Sequence, residues 1–214
     1  VSCLLPELPE QRFTVIGNVV DSKIFFYRKE QKDASVIRLC AVATWQHKKK
    51  ADKMPELFID ALAVLQKKTE RKMVLTLIGG GNRVPDLQEH CYRVGLTAQF
   101  PGFLPKEDLA EELHKTDIFV HASAIETFSI VVAEALACGV PVVCSQTGAL
   151  PELVRENNGI LCENTVADWT YALEKALSTD FDRPEIAEAL SERFSKNSIG
   201  RKISEVYSSV LNGN

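Results

Sequence analysis

The chain is expected to fold as an open, doubly wound α/β sheet, a Rossmann-like parallel arrangement, and three observations lead there. Short β-branched runs alternate with longer amphipathic stretches, the pattern of a parallel sheet joined by crossover helices. The runs 37–43 and 74–78 are nearly uniformly apolar, as strands covered on both faces must be. Polar clusters fall where strands end, at 44–53, 79–83, 102–103, 122–126 and 145–148. In such sheets ligands bind beyond the carboxyl ends of the strands, at the point where strand order reverses.

Taken in order, strands are expected at 13–16, 36–43, 73–78, 98–100, 118–121, 140–144 and 159–161. Helices are expected at 55–68, 85–94, 106–115, 129–138, 149–154, 166–177, 183–194 and 199–211. Gly148 reads as a turn that opens the fifth of these helices, with Pro151 in its first turn, where a missing N–H costs nothing. Residues 1–12 and the stretch after Phe194 look peripheral to this core.

With 214 residues, 45% hydrophobic and 25% charged, the chain is large enough for one sizeable core. Its longest apolar stretches, 118–122 and 130–138, fall short of the roughly 20 residues of a transmembrane helix. The opening VSCLLPELPEQRF has prolines, acidic residues and no basic n-region, unlike a secretory signal, although its first residue is not Met. A net charge of −4 argues against gripping nucleic acid by its phosphates. His47, Lys48, Lys49, Lys50 and Lys53 form a local basic exception. Cys3, Cys40, Cys91, Cys138, Cys144 and Cys162 make no CxxC pair and mostly sit among apolar neighbours, which reads as reduced, buried thiols of a cytoplasmic protein. His47, His90 and His114 show no metal spacing, so no metal is expected.

The segment ETFSIVVAEALACGVP carries the most chemistry. From Ile130 to Cys138 it is apolar except at Glu134, and a carboxylate buried there needs a partner. Either Glu134 lies on the exposed stripe of a surface helix or it faces a pocket. Glu126 precedes the run, beside the positive end of the helix, so the two carboxylates and a helix N-terminus would suit a ligand with both hydroxyls and phosphate. A nucleotide sugar has both. Gly79, Gly80 and Gly81 allow a backbone to approach a pyrophosphate, or simply make a tight turn. The triplet fits neither G-x-G-x-x-G, since position 84 is Val, nor a P-loop, which counts against a dinucleotide oxidoreductase. One of Lys49, Lys50 or Lys53 is able to reach a diphosphate as a mobile charge. His121, ending a strand opposite the Glu126 loop, is placed to touch a sugar or is structural.

Several segments resemble a known family. VIGNVVD (15–21), LTLIGGG (75–81), PGFLPKEDLAEELHKTDIFVHAS (101–123), ETFSIVVAEALACGVPVVCSQTGALPELV (126–154) and NGILCE (158–163) are similar to the C-terminal half of GT-B glycosyltransferases of the retaining group called family 4 or group 1. The closing ERFSKNSIGRKISEVYSSVL is similar to that family's last helix. The resemblance implies that Glu134 accepts from nucleotide ribose hydroxyls and Glu126 contacts the donor sugar as the first member of an E-x7-E motif. Main-chain N–H groups around Thr127, Phe128, Ser129 and Ile130 would hold sugar and phosphate. Gly102, Phe103 and Leu104 would read the base edge, with Gly80 and Gly81 at the phosphate turn. Lys53 matches the family lysine counting back from Ala61, whereas counting forward favours Lys50. Thr44 stands where the family usually has arginine, and Thr127 and Ser129 replace glycines at a helix start where Ser and Thr also cap.

The resemblance further implies three parts: residues 1–12 as an interdomain connection, 13–194 as the nucleotide-sugar-binding domain, and 195–214 as a C-terminal helix packing toward an N-terminal acceptor domain that this chain does not contain. The parent would transfer a hexosyl group to a glycan or lipid-linked acceptor with no cofactor, in polysaccharide biosynthesis for many relatives, with peripheral membrane association open to it. The fragment alone is expected to bind donor and turn over poorly. The competing reading is a non-catalytic nucleotide-binding or interaction module, supported by Thr44.

Overall fold

In the computed structural model, which describes residues 14–46 and 53–211, six strands form one parallel sheet. They are β1 (Val36–Val42), β2 (Lys72–Ile78), β3 (Thr97–Gly102), β4 (Ile118–His121), β5 (Val142–Ser145) and β6 (Gly159–Cys162). The helices are α1 (Pro55–Gln66), α2 (Val84–Arg93), α3 (Lys106–Lys115), α4 (Ile130–Ala137), α5 (Leu150–Leu153), α6 (Val166–Ser178), α7 (Arg183–Phe194) and α8 (Lys196–Leu211). Strand order is β3-β2-β1-β4-β5-β6. Winding thus runs outward from β1 to one edge, then returns and runs from β4 to the other, which is the doubly wound topology the sequence predicts.

Alternation along the central strands builds two cores. Ile37, Leu39 and Ala41 of β1 point to one face, where α1, α2 and α6 cover them, and Cys40 points to the other, under α3, α4, α5 and α7. Phe58 of α1 and Trp169 of α6 meet on the first face with ring centroids 5.8 Å apart. Helix starts follow local chemistry. Prolines occupy the first turns of α1, α2, α5 and α7, while the Thr165 hydroxyl accepts from Asp168 N at 3.1 Å to open α6 and Asp182 does the same for Glu185 N at 3.0 Å in α7. Cys40, Cys91, Cys138, Cys144 and Cys162 are free and buried, and Cys3 lies outside the described residues.

The structure departs from the expected boundaries for identifiable reasons. Residues 14–16 are not a strand, and Phe13 lies outside the described residues. This run meets neither sheet edge. It shares a groove with Lys202, Val206 and Val210 of α8, and the chain is then fixed at Val20, whose N–H bonds Phe194 O at 2.9 Å. β5 starts at Val142 rather than 140 because Val140 still closes α4, its N–H bonding Ala135 O at 3.0 Å. α8 starts at Lys196 and is buried only through Ser198 and Ile199, leaving Ile203, Tyr207, Val210 and Leu211 exposed. At the sheet edges, β3 contains Pro101 and β6 is only four residues long.

Burial predicts where substitutions hurt. Leu136→Ala on α4 empties a fully buried site and should cost about 2–5 kcal/mol in thermal or denaturant unfolding. Tyr207→Ser on the exposed face of α8, at 68% exposure, should change the stability of this chain by no more than about 0.5 kcal/mol.

Candidate functional site

The reversal between β1 and β4 sets the chain after each strand side by side at the carboxyl edge of the sheet. The two segments are joined by Met54 N–H to Ala122 O at 3.1 Å and by an antiparallel bridge between Lys53 and Ser123. This pairing aims Lys53 at the loop after β4. Its Nζ donates to Glu126 Oε2 at 2.7 Å and to Ser123 Oγ at 3.3 Å, and sits 3.2 Å from His121 Nε2. His121 Nε2 lies 2.8 Å from the same Glu126 oxygen and 3.4 Å from Ser129 Oγ.

The charges of this cluster follow from its neighbours. Burial by itself pushes the Glu126 carboxyl up, but the hydrogen bonds from His121 and Lys53 and the charge of Lys53 outweigh it and bring it down to about 2. Burial pushes His121 down, an effect that the Glu126 bond opposes and Lys53 reinforces, so the imidazole is neutral at pH 7. A neutral ring this close to an ionised carboxylate satisfies the geometry with its proton on Nε2, donated to Glu126. Glu126 thus accepts from both partners on one oxygen, while Oε1 accepts from Thr127 N–H at 3.1 Å.

A buried polar network fixes the loop that carries Glu126. Ser123 N–H donates to Ser145 Oγ at 2.9 Å, Ser145 Oγ donates to Asn164 Oδ1 at 2.6 Å, and Asn164 Nδ2 donates back to Ser123 O at 3.2 Å. Ala149 N–H bonds Glu126 O at 3.1 Å, and Gly148 packs so closely that a Cβ there would lie 1.8 Å from that oxygen. The turn at Gly148 is legible in the sequence, but Ser123, Ser145 and Asn164 carry no motif and were not singled out. Only the sheet order brings the ends of β4, β5 and β6 together.

α4 begins directly after this loop. Ser129 precedes it with φ 67°, the one non-glycine residue with positive φ among those described. The expected cap is absent: no side-chain hydrogen bond closes the first turn, and the Ser129 hydroxyl turns to His121 instead. The N–H groups at the start of α4 stay open toward the loop. Phe128 anchors inward, edge-on to Phe194 at 5.3 Å, while Thr127 and Ile130 are exposed. Glu134, just over one turn in, is buried at 6% exposure and has no hydrogen bond or ion pair to its carboxylate among the described residues. Burial raises it to about 7, an effect only partly offset by Lys106 at the start of α3. The exposed-stripe alternative for Glu134 is therefore excluded.

A second group lies across the β1 side. Gly80 and Gly81 pack against Phe103 and Trp45: a Cβ on Gly80 would meet the Phe103 ring at 2.7 Å, and one on Gly81 would meet Trp45 O at 1.9 Å. Phe103 projects at 72% exposure beside this turn. Thr44 is exposed, and its successor Trp45 is buried with Nε1 donating to Ile78 O at 3.1 Å. Lys49 and Lys50 lie outside the described residues; among the described residues Lys53 reaches Glu126. Arg83, also not singled out in the sequence, is buried at the start of α2 and ion-paired with Glu56. Lys53, His121, Ser129 and Glu126 thus form one bonded cluster and Gly80, Gly81 and Phe103 another, with Glu134 bonded to neither.

Two consequences are measurable. Because the folded-state value of Glu134 lies above the ordinary carboxylate value of 4.5, the folded chain holds this proton more tightly than the unfolded one. Its stabilising contribution is complete below about pH 4.5 and is lost as pH rises through about 7. Glu134→Gln removes that loss and should raise stability at pH 8 by on the order of 2–3 kcal/mol while changing it little at pH 4, read by thermal unfolding at the two pH values. Ser129→Gly relieves a left-handed backbone and should leave stability unchanged or raise it by about 1 kcal/mol, whereas Ser129→Val should lower it.

Comparison with known proteins accords with this arrangement. The profile of the family described as Glycosyl transferases group 1 matches residues 28–199. A D-inositol 3-phosphate glycosyltransferase of Corynebacterium kroppenstedtii is 30% identical over 172 residues, which cover 74% of this chain and 38% of that protein. The phosphatidylinositol N-acetylglucosaminyltransferase GPI3 subunit of Saccharomyces cerevisiae is 27% identical over 139 residues, covering 62% of this chain and 31% of its own. This chain therefore spans less than half the length of these curated relatives. Among solved structures, Anabaena HepE in complex with UDP and glucose superimposes with a TM-score of 0.74 at 22% identity, covering 92% of this chain and 56% of that one. A glycosyltransferase from Rickettsia africae superimposes with a TM-score of 0.78 at 20% identity over 99% of this chain and 62% of its own. With the family profile spanning most of the described fold, the chain belongs to the group 1 glycosyltransferases.

Proposed function

We propose that this chain is the nucleotide-sugar-binding half of a retaining glycosyltransferase, and the observation that carries the reading is the solitary carboxylate of Glu134. A buried carboxylate without a partner is held at a cost unless a ligand supplies donors, and vicinal ribose hydroxyls supply two. Glu126, already ionised, receives hydroxyls of the donor sugar. The open N–H groups at the start of α4, after Phe128 and Ser129, together with the Lys53 ammonium, meet the diphosphate. Gly80 and Gly81 let the chain approach it from the β2 side, and the main chain of Gly102–Leu104 with Phe103 lies against the base. The UDP and glucose bound to HepE support this choice of ligand class.

In the whole protein the bond from anomeric carbon to diphosphate oxygen breaks, and the oxygen of an acceptor hydroxyl takes its place on the same face, its proton passing to the departing diphosphate. The departing diphosphate needs positive charge that is already in position, which Lys53 and the α4 terminus provide. The acceptor is bound by the N-terminal half of the parent, which the exposed face of α8 meets. The two curated relatives named above act, by their names, on inositol phosphate and phosphatidylinositol, which favours a small polyol or lipid-linked acceptor over a long glycan. The parent works in the cytoplasm, at the membrane surface where its acceptor is lipid-linked. No helix among the described residues is long and apolar enough to cross a membrane. The exposed Thr44, in place of the arginine the resemblance implies, favours the second reading, a nucleotide-binding module without transfer activity.

Calorimetric titration of the chain with UDP, GDP and ADP tests the donor reading. One nucleotide should bind, and Glu134→Gln should weaken it by about 1–3 kcal/mol, the scale of charge-assisted hydrogen bonds, even though the same substitution stabilises the unliganded chain. Equal affinity in the two proteins would remove the ribose assignment.

A further inference from the structure

Arg83 belongs to no motif in the sequence, yet it is a buried charge bonded to the main chain of Lys53. It stands at the start of α2, 8% exposed, where the glycine turn after β2 ends. Its main-chain N–H donates to Trp45 O at 3.0 Å and its guanidinium Nη1 to Lys53 O at 3.1 Å. One residue thus holds the chain at Trp45, three residues past β1, and at Lys53, which leads into α1. Glu56, in the first turn of α1, pairs with Nη2 and fixes the fork. Trp45 is itself pinned: its indole donates to Ile78 O, and its N–H donates to Gly80 O at 2.9 Å.

We infer that Arg83 is a positioning residue for Lys53, fixing the main chain from which the ammonium reaches Glu126 and the diphosphate of the donor. The inference rests on the donor reading given above for what Lys53 does, but its geometric part stands on the cluster alone. A lysine is a point charge on a flexible stem, so its value as a fixed cation depends on where its main chain is held. On the far side Lys53 is held by the bridge to Ser123. On the near side the guanidinium of Arg83 is a rigid two-armed clamp that lysine cannot reproduce, because a single ammonium does not span Lys53 O and Glu56 with fixed angles. The position where the family resemblance implies an arginine holds the exposed Thr44, so the buried guanidinium on this side of the cleft comes from α2.

The experiment has one arm that needs no ligand. In the 214-residue chain, His121 is titrated by NMR in wild type, Arg83→Met, Arg83→Lys and Glu56→Gln. Lys53 presses the His121 midpoint down, so letting Lys53 swing away should move it to higher pH in Arg83→Met, in the same direction as in Lys53→Met. Arg83→Lys should move it part of the way and Glu56→Gln less, and this graded series keeps the test usable if Arg83→Met folds poorly. An unmoved midpoint in folded Arg83 variants would overturn the inference.

The second arm is calorimetry with whichever of UDP, GDP or ADP binds wild type, set against its nucleoside. Arg83→Met should weaken the diphosphate about 10-fold and leave the nucleoside unchanged, since only the diphosphate needs Lys53. A proportional loss of both would show a merely structural role for Arg83 and overturn the inference. If none of the three diphosphates binds wild type, the donor reading itself fails, whereas a shifted His121 midpoint would still uphold the clamp on Lys53.

Discussion

A parallel sheet that reverses its winding in the middle leaves two strand ends with no helix between them, and everything of chemical interest here depends on how that gap is filled. Between β1 and β4 it is filled by two chain segments that pair with each other through Lys53 and Ser123. Because they pair, a lysine from one side and a carboxylate from the other meet in a fixed geometry. Each neighbouring element then adds a brace. β5 and β6 contribute Ser145 and the adjacent Asn164, the turn before α5 contributes Gly148, and the start of α2 contributes Arg83.

The two glutamates of the site show how one side chain takes opposite characters from its surroundings. Glu126 is ringed by donors and stays ionised down to about pH 2, so it is a charge at every physiological pH. Glu134 sits in an apolar helix with only a distant lysine for company and is near half protonation at neutral pH. The first is satisfied before any ligand arrives, so a ligand must compete with Lys53 and His121 for its lone pairs. The second is unsatisfied, so a ligand that brings hydroxyls meets no competition. The cost of keeping Glu134 in the fold is the kind that is retained at binding sites and removed elsewhere.

Much of the fold was legible because buried parallel strands leave a continuous apolar run, and β1 and β2 read that way without help. The strand expected at 13–16 is absent over residues 14–16 because a β-branched run records the tendency to extend and not the presence of a neighbour; the run lies along α8 and pairs with no strand of the sheet. In the site, Glu126 and Glu134 stood out as charges at the borders and centre of an apolar segment, and Lys53 and Lys50 remained level because counting from either side gave a different answer. The contact from Lys53 to Glu126 spans 73 residues of chain, which no local pattern encodes, while Lys50 lies outside the described residues. Arg83 and Ser145 fall in polar clusters at strand ends but carry no motif that gives them a partner, and Asn164 carries none, for the same reason. Ser129 was expected to cap because serine often does. Its left-handed backbone turns the hydroxyl from the helix to His121, a choice made by tertiary contact over local propensity.

The edges of the sheet decide how this chain behaves in company. Pro101 takes an N–H out of β3, and β6 offers only four residues, so both flanks are poor templates for another strand. Growth of the sheet from one molecule into the next is thereby disfavoured. What stays adhesive is the row of Ile203, Tyr207, Val210 and Leu211 along α8. At high concentration the isolated chain should therefore self-associate helix to helix, reversibly and without the cross-β stacking that irreversible aggregates require.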